Sequence, residues 1–379
     1  MKLLHTSDWH VGKVLKGQSR VDDQVKALAG VVDVAKAERP DLVIVAGDLY
    51  DTATPTADAT RIVTRALSAL RGTGAEVVAI GGNHDNGQAL DALRSWAEAA
   101  GITLRGAVKG AADHLITGRT RDGEDWRLIA LPFLSQRYAV RAGELFDLTA
   151  AEATQTYADH IARLLARLAG GFGADTVNLV TSHLTVIGAM AGGGEREAHT
   201  IMGYAVPATM FPSGTHYVAL GHLHRPQQVP GPCPIRYSGS PLAIDFGEEE
   251  NTPSVSIVEV TATTTAKARE VPITGPTPLR TVRGTLADLE TLDPGDAWLR
   301  VYVAEPPRAG LREEVQALLP RALEVRIDPR LLPDRPERLQ AQRAGRSPGE
   351  LFTDYLAQKG HADEATVALF HQLHEEVIQ

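Results

Sequence analysis

Aspartates, histidines and one asparagine stand at the ends of five apolar runs in this chain, and these are side chains that bind divalent cations. Lys2 to Thr6 leads into Ser7-Asp8-Trp9-His10, Leu42 to Ala46 into Gly47-Asp48-Leu49-Tyr50-Asp51, and Val77 to Ile80 into Gly81-Gly82-Asn83-His84-Asp85. Val177 to Val180 leads into Thr181-Ser182-His183, and Tyr217 to Leu220 into Gly221-His222-Leu223-His224. One histidine after one strand is commonly a hydrogen-bonded structural residue. Five strand ends have no such shared structural cause, whereas a metal site explains them together. Asp8, His10, Asp48, Asn83, His183, His222 and His224 are too many ligands for one ion and suit two, ~3.5–4 Å apart as in two-metal sites. A carboxylate bridges two cations, and Asp48 is the best bridging candidate. Imidazole and carboxylate ligands without thiolate fit Mn, Fe or Zn better than Ca or Mg.

The elements that must present these residues follow from the apolar periodicity. The run before Asp48 has the uniform hydrophobicity of a buried parallel strand, and Gly47 permits the sharp turn at its end. Val21 to Ala37 is apolar at a helical period and stops before Pro40, and a second helix carries Ile62, Val63, Ala66, Leu67 and Leu70. The order β-α-β-α-β predicts a parallel sheet with its ligands at the carboxyl edge. Further on, Arg127 to Pro132 is predicted as a strand, Ala153 to Leu168 as a helix, and Ser254 to Val260 as a strand with one exposed face. The pattern changes near Gly275-Pro276-Thr277-Pro278, where a domain boundary is expected. Beyond it, Trp298 to Val303, Leu311 to Leu319 and Leu323 to Ile327 read as strand, helix and strand. Residues 328–348, with Arg330, Arg335, Arg338, Arg343 and Arg346, read as a linker, and two short amphipathic helices close the chain.

The 379 residues suffice for two or three domains, and 43% hydrophobic with 22% charged residues is a soluble globular composition. A net charge of −9 excludes global attraction to nucleic acid or an anionic membrane, so polyanion binding requires local charge or metal. The lone Cys233 excludes an intramolecular disulfide and fits a reducing compartment. No apolar run spans a bilayer and none resembles a signal peptide, so a cytoplasmic protein is expected.

Asp8-x-His10, Gly47-Asp48-x-x-Asp51, Gly82-Asn83-His84-Asp85, His183 and Gly221-His222-Leu223-His224 resemble, in order, the five blocks of the calcineurin-like metallophosphoesterases. The resemblance implies an α/β fold: a four-layer αββα domain with a dinuclear centre. It implies that Asp8, His10 and His224 hold one metal, that Asn83, His183 and His222 hold the other, and that Asp48 bridges. His84 is then the catalytic imidazole, placed to protonate or stabilise a leaving oxygen. Asp51 either orients His84 or is a turn or N-cap residue beside Thr52 and Thr54. Phosphoprotein phosphatases of the superfamily carry an Arg soon after the second aspartate and a Glu after Asn-His. Here Thr52-Ala53 and Asp85 stand instead, which favours a diester substrate.

Leu4 to Gly12, His183-Leu184-Thr185 with the Gly-rich loop 188–194, and Gly221 to Gln227 narrow the likeness to SbcD, the nuclease subunit family of bacterial SbcCD complexes. This implies residues 1–275 as nuclease domain, 276–330 as a small α+β DNA-capping domain, and 331–379 as a linker and helical tail that docks an SbcC-like ATPase. It further implies a homodimer, Mn2+ as the metal, and action in DNA repair, recombination and replication. The activity implied is an exonuclease on duplex ends and an endonuclease on single strands or hairpins. No Gly-x-x-x-x-Gly-Lys-Ser/Thr loop exists, so ATP, if used, is bound by another chain. Lys13, Lys16, Arg20 and Arg225 are candidate DNA contacts, with solvated surface the alternative. His5 reads as a core residue, and His199 and His216 as structural or surface residues. The competing functions are a small-molecule phosphodiesterase or nucleotidase, and a weakly active DNA-binding scaffold.

Overall fold

A computed structural model describes residues 1–135, 138, 156–195, 204–331, 347–360 and 363–377. Arg335, Arg338, Arg343, Arg346, His199 and the start of the helix expected from Ala153 lie outside the described residues.

The apolar run Leu42–Ala46 forms a strand buried on both faces, as its uniform composition requires. It pairs in parallel with Lys2–Thr6 on one side and Glu76–Ile80 on the other, in register Thr6↔Val45 and Ala46↔Ile80. The crossovers are helices Val21–Glu38 and Ala57–Arg71. The second starts where the Thr56 hydroxyl accepts from Ala59 N–H. Its apolar stripe, Val63, Ala66, Leu67 and Leu70, packs on the sheet with Leu28, Val31 and Val32 of the first. The full sheet has six strands, in the order Thr264–Pro272, Ser254–Thr261, Lys2–Thr6, Leu42–Ala46, Glu76–Ile80, Ile102–Arg105.

A second six-stranded sheet runs Gln227–Val229, Ile235–Tyr237, Tyr217–Gly221, Val177–His183, Asp125–Leu131, Leu115–Arg119. Helix Tyr157–Ala169 covers its outer face through Ile161, Leu164, Leu165 and Leu168. Between the sheets lies a third apolar cluster in which Leu3, Ile44, Ala46 and Ile80 meet Leu128, Leu179, Tyr217 and Ala219. Helix, sheet, sheet and helix thus make the expected four layers.

Ser254–Thr261 departs from the expectation of one solvent-exposed face, since every residue but Glu259 and Thr261 is buried. Val255 and Ile257 face the helices while Val258 and Val260 face the other sheet, so alternation here serves two apolar layers.

The chain divides into two compact units. The first comprises Met1–Val282, Asp293–Arg300 and Arg321–Glu324; the second comprises Arg283–Leu292, Val301–Pro320 and Val325–Gln379. Strands Leu279–Gly284, Trp298–Val303 and Ala322–Ile327 form a small sheet in that order. In the second unit Arg283 lies over the Tyr302 ring, and helices Pro348–Gln358 and Glu364–Val377 stack Phe352 on Phe370 at 4.1 Å.

Candidate metal centre

Register brings the candidate ligands to one edge. In the first sheet the loops after Thr6, Ala46 and Ile80 leave side by side, and in the second Gly221 sits opposite His183. Asp8, His10, Asp48 and His222 all take left-handed backbone, at φ 55°, 45°, 52° and 101°. Such conformations cost a non-glycine residue roughly 1–2 kcal/mol each and persist where the surroundings over-determine them. Gly47, at φ 95°, lies so close to the His183 ring that a Cβ there has no room.

All seven expected ligands converge, and all are buried. His10 Nε2 lies 3.1 Å from His224 Nε2 and 3.6 Å from Asp48 Oδ2, and His224 Nε2 lies 4.0 Å from Asp8 Oδ1. On the other side Asn83 Oδ1 is 2.9 Å from His183 Nε2 and 2.9 Å from His222 Nδ1, and His183 Nε2 is 3.4 Å from Asp48 Oδ2. Ligand atoms of Asp8, His10 and His224 gather within 4.8 Å of one another, as do those of Asp8, Asp48 and His183, and those of His10, Asp48 and His84. Asp48 belongs to two of these groups, between the two sets of histidines.

This donor set fits divalent cations. The Nε2 atoms of His10 and His224 face each other across 3.1 Å, and once deprotonated both would point a lone pair toward one cation. Burial pushes the Asp8 carboxyl up to about 6 and the His10 imidazole down to about 3. Burial also opposes charge on His183 and His224, but Asp48 raises the first to about 9 and Glu248 raises the second to about 10. Protons on these rings balance the carboxylates, and cations held there would take their place. The residues therefore suit a dinuclear metal site.

His84 donates from Nδ1 to the Asp51 main-chain carbonyl at 2.7 Å, and its N–H donates to Asp48 Oδ1 at 2.8 Å. Asp51 thus meets His84 through its main-chain carbonyl, and not through the carboxylate expected to orient the ring. The Asp51 carboxylate instead lies 3.6 Å from His10 Nδ1 and 3.3 Å from Lys13 Nζ.

The expected phosphate contacts separate. Lys13 stays beside the site, paired with Asp51, and Arg225 is exposed next to His224. Lys16 pairs with Glu324 at 3.3 Å. Arg20 is not a DNA contact: it is 1% exposed, its Nε binds Asp23 at 2.8 Å, and its terminal nitrogens donate to the carbonyls of Ala243 and Thr277. A buried guanidinium with its donors committed braces the fold instead. His5 is a core residue as expected, 3.0 Å from Tyr217 Oη and 3.1 Å from the Leu220 carbonyl.

Sequence reasoning missed four residues that hold the candidate ligands in place. Asp85 accepts N–H bonds from Leu49 at 3.1 Å, Tyr50 at 2.9 Å and Gly82 at 2.9 Å, tying the Asp48 loop to the Asn83 loop. Gln24, on the first helix, accepts from Gly12 N–H and donates to the His10 carbonyl. Glu195 accepts from His224 N–H at 2.9 Å, and Glu248 accepts from His224 Nδ1–H at 2.7 Å. Only Asp85 carried a signal, its place directly after His84.

The calcineurin-like phosphoesterase family matches residues 1–226, and a family described as the Type 5 capsule protein repressor C-terminal domain matches residues 276–360. The chain is 33% identical over 325 residues to the SbcD component of the nuclease SbcCD of Bacillus subtilis, covering 83% of this chain and 81% of that protein. It is 33% identical over 296 residues to the SbcD component of the same nuclease in Rhodobacter capsulatus, covering 74% of this chain and 71% of that one. Among solved structures, a dimetal phosphatase from Danio rerio aligns at TM-score 0.41 and 11% identity over 72% of this chain and 99% of its own, too distant to carry argument.

Proposed function

The chain belongs to the calcineurin-like phosphoesterases and, within them, to the SbcD nucleases, and from that membership we propose a metal-dependent DNA nuclease. It hydrolyses phosphodiester bonds, as an exonuclease on duplex ends and an endonuclease on single strands or hairpins. The observation that carries the reading is the convergence of seven buried O and N donor side chains from both sheets on one edge. Asp8, His10 and His224 hold one ion, Asn83, His183 and His222 the other, and Asp48 lies between. The chemistry that two divalent cations held there, for which we propose Mn2+, would supply is neutralisation of phosphate charge and a more acidic water. His84 is the group that exchanges a proton with the leaving oxygen: its Nδ1 is committed to the Asp51 carbonyl, which fixes the ring with Nε2 as the reacting nitrogen. The Asp51 carboxylate pairs with Lys13 at 3.3 Å and lies 3.6 Å from His10 Nδ1, so it is the main-chain carbonyl of Asp51, and not its side chain, that holds His84.

The wider reading rests on the relatives' naming as one component of a complex and on the second family match over residues 276–360. An SbcC-like ATPase is the partner, docked on the helical tail within 331–379, and residues 276–330 cap the DNA. The nuclease works as a homodimer in the cytoplasm.

Cleavage of end-labelled duplex and hairpin DNA with Mn2+, Mg2+ or EDTA tests this, beside His84→Ala. Mn2+-dependent cutting that His84→Ala loses by about 100-fold or more, while still binding two metals, is the expected result. Brisk turnover of a small phosphodiester with no DNA cut at any metal would overturn it in favour of a small-molecule enzyme.

A further inference from the structure

Glu248 is 1% exposed and sits in the single turn Phe246–Glu248. Both its oxygens are used: Oε1 accepts from His224 Nδ1–H at 2.7 Å and Oε2 from Ile244 N–H at 2.9 Å. A carboxylate is seldom fully buried unless it is paired, and the group it faces here is a candidate ligand. Two other rings of the site are held differently. His183 and His84 donate from Nδ1 to neutral main-chain carbonyls, those of Ala46 and Asp51. A charged acceptor on Nδ1 does two things that a carbonyl does less well: it fixes the Nδ1–H tautomer, and it makes Nε2 a stronger donor.

The glycine-rich loop completes the arrangement. Glu195 takes the main-chain N–H of His224 at 2.9 Å and those of Gly192 and Gly193 at 2.5 and 2.7 Å, which curls the loop over the His224 segment. Gly194 packs so tightly on Glu248 Oε1 that a Cβ there would collide with it and approach His224 Nδ1 to 2.9 Å. The absence of side chains at 192–194 thus lets the loop lie directly on the Glu248–His224 pair.

We propose that Glu248 is a positioning residue for the metal centre: it orients His224 and holds its Nδ1 proton, so that Nε2 serves the ion shared with Asp8 and His10, while the Gly192–Glu195 loop closes over the pair. The inference rests on the dinuclear reading above.

Titration of the full chain with Mn2+, read by the EPR signal of free ion, tests it without substrate. Wild type should bind two ions. Glu248→Gln, which keeps shape but loses the charge, should weaken one site by about 10- to 100-fold and leave the other unchanged. Its thermal midpoint in EDTA should stay near that of wild type, and Glu248→Ala should weaken the same site further. Two unchanged affinities in a folded Glu248→Gln protein would overturn the inference and leave the nuclease reading intact. A wild type that binds no divalent ion would overturn both. If the variants fail to fold, histidine-15N spectra of the wild type loaded with Zn2+ decide: a proton on His224 Nδ1 is expected, and one on Nε2 overturns the proposal.

Discussion

His5 and the candidate ligand histidines lie on or just beyond three strands, yet burial treats them differently because their partners differ. His5 has only the Tyr217 hydroxyl and the Leu220 carbonyl, and burial pushes its imidazole down to about 3. The unfolded chain protonates this residue near its ordinary 6.5, while the folded protein keeps it neutral. Its contribution is therefore fully present above pH 6.5 and is lost as pH falls from 6.5 toward 3, by up to about 1.4 kcal/mol per pH unit. His5→Gln, measured by urea unfolding in EDTA between pH 7.5 and 5, should flatten the pH dependence by nearly one proton. An unchanged slope would mean that His5 is hydrated or charged in the folded state. Arg20 invites the opposite test of an expected DNA contact. Arg20→Ala removes the charged partner of Asp23, which keeps the Thr277 N–H at 2.8 Å, and should cost about 1–3 kcal/mol of stability without altering the salt dependence of DNA binding.

The loops that carry the ligands are held together as a unit, and Asp85 is the tie. Its Oδ2 serves Leu49 and Gly82 and its Oδ1 serves Tyr50, so Asp85→Asn turns an amide nitrogen toward a buried N–H donor. The expected loss is about 1–3 kcal/mol, seen as a lower thermal midpoint in EDTA, with weaker binding of the first equivalent of metal. A midpoint and affinity equal to wild type would show that the two loops hold without it. These elements differ in how legible they were. Uniform apolar runs such as Leu42–Ala46 announced themselves, and the polar residue after each run marked its carboxyl end. Thr264–Pro272 did not: as an edge strand with Lys267, Arg269 and Glu270, it buries only one residue, and its alternation rests on two small alanines, Ala266 and Ala268. Ile102–Arg105 and Leu115–Arg119 are short or half-exposed and gave as little. In the site, the candidate ligands were legible because each stands at the end of an apolar strand. Glu195 and Glu248 were not, since what makes them special is a histidine far along the chain, and their local sequence is that of a solvated acidic loop.

Over the whole chain, charge and metal divide the work of holding a polyanion. A net charge of −9 repels DNA at long range, and the basic residues nearest the metal loops are mostly engaged. Lys13 is paired with Asp51, Lys16 with Glu324, and Arg20 is buried, so of the four candidate contacts Arg225 is the exposed cation beside the ligands. Each phosphate neutralised by a side chain contributes about −0.9 to the slope of log K against log salt. Two or three such contacts give a slope of about −2 to −3 for this chain alone, far shallower than proteins that coat DNA with lysine and arginine. Fluorescence anisotropy of a labelled duplex end, titrated between about 50 and 200 mM salt with metal held constant, measures it. Arg225→Ala should make the slope shallower by about one and weaken binding alike on all sequences. A slope near about −8 would instead mean that a basic surface elsewhere grips the backbone, with the arginines of 330–346 the first to substitute. A shallow slope means that the chain recognises phosphate chiefly where it can cut it, so a firm hold on DNA must come from a partner.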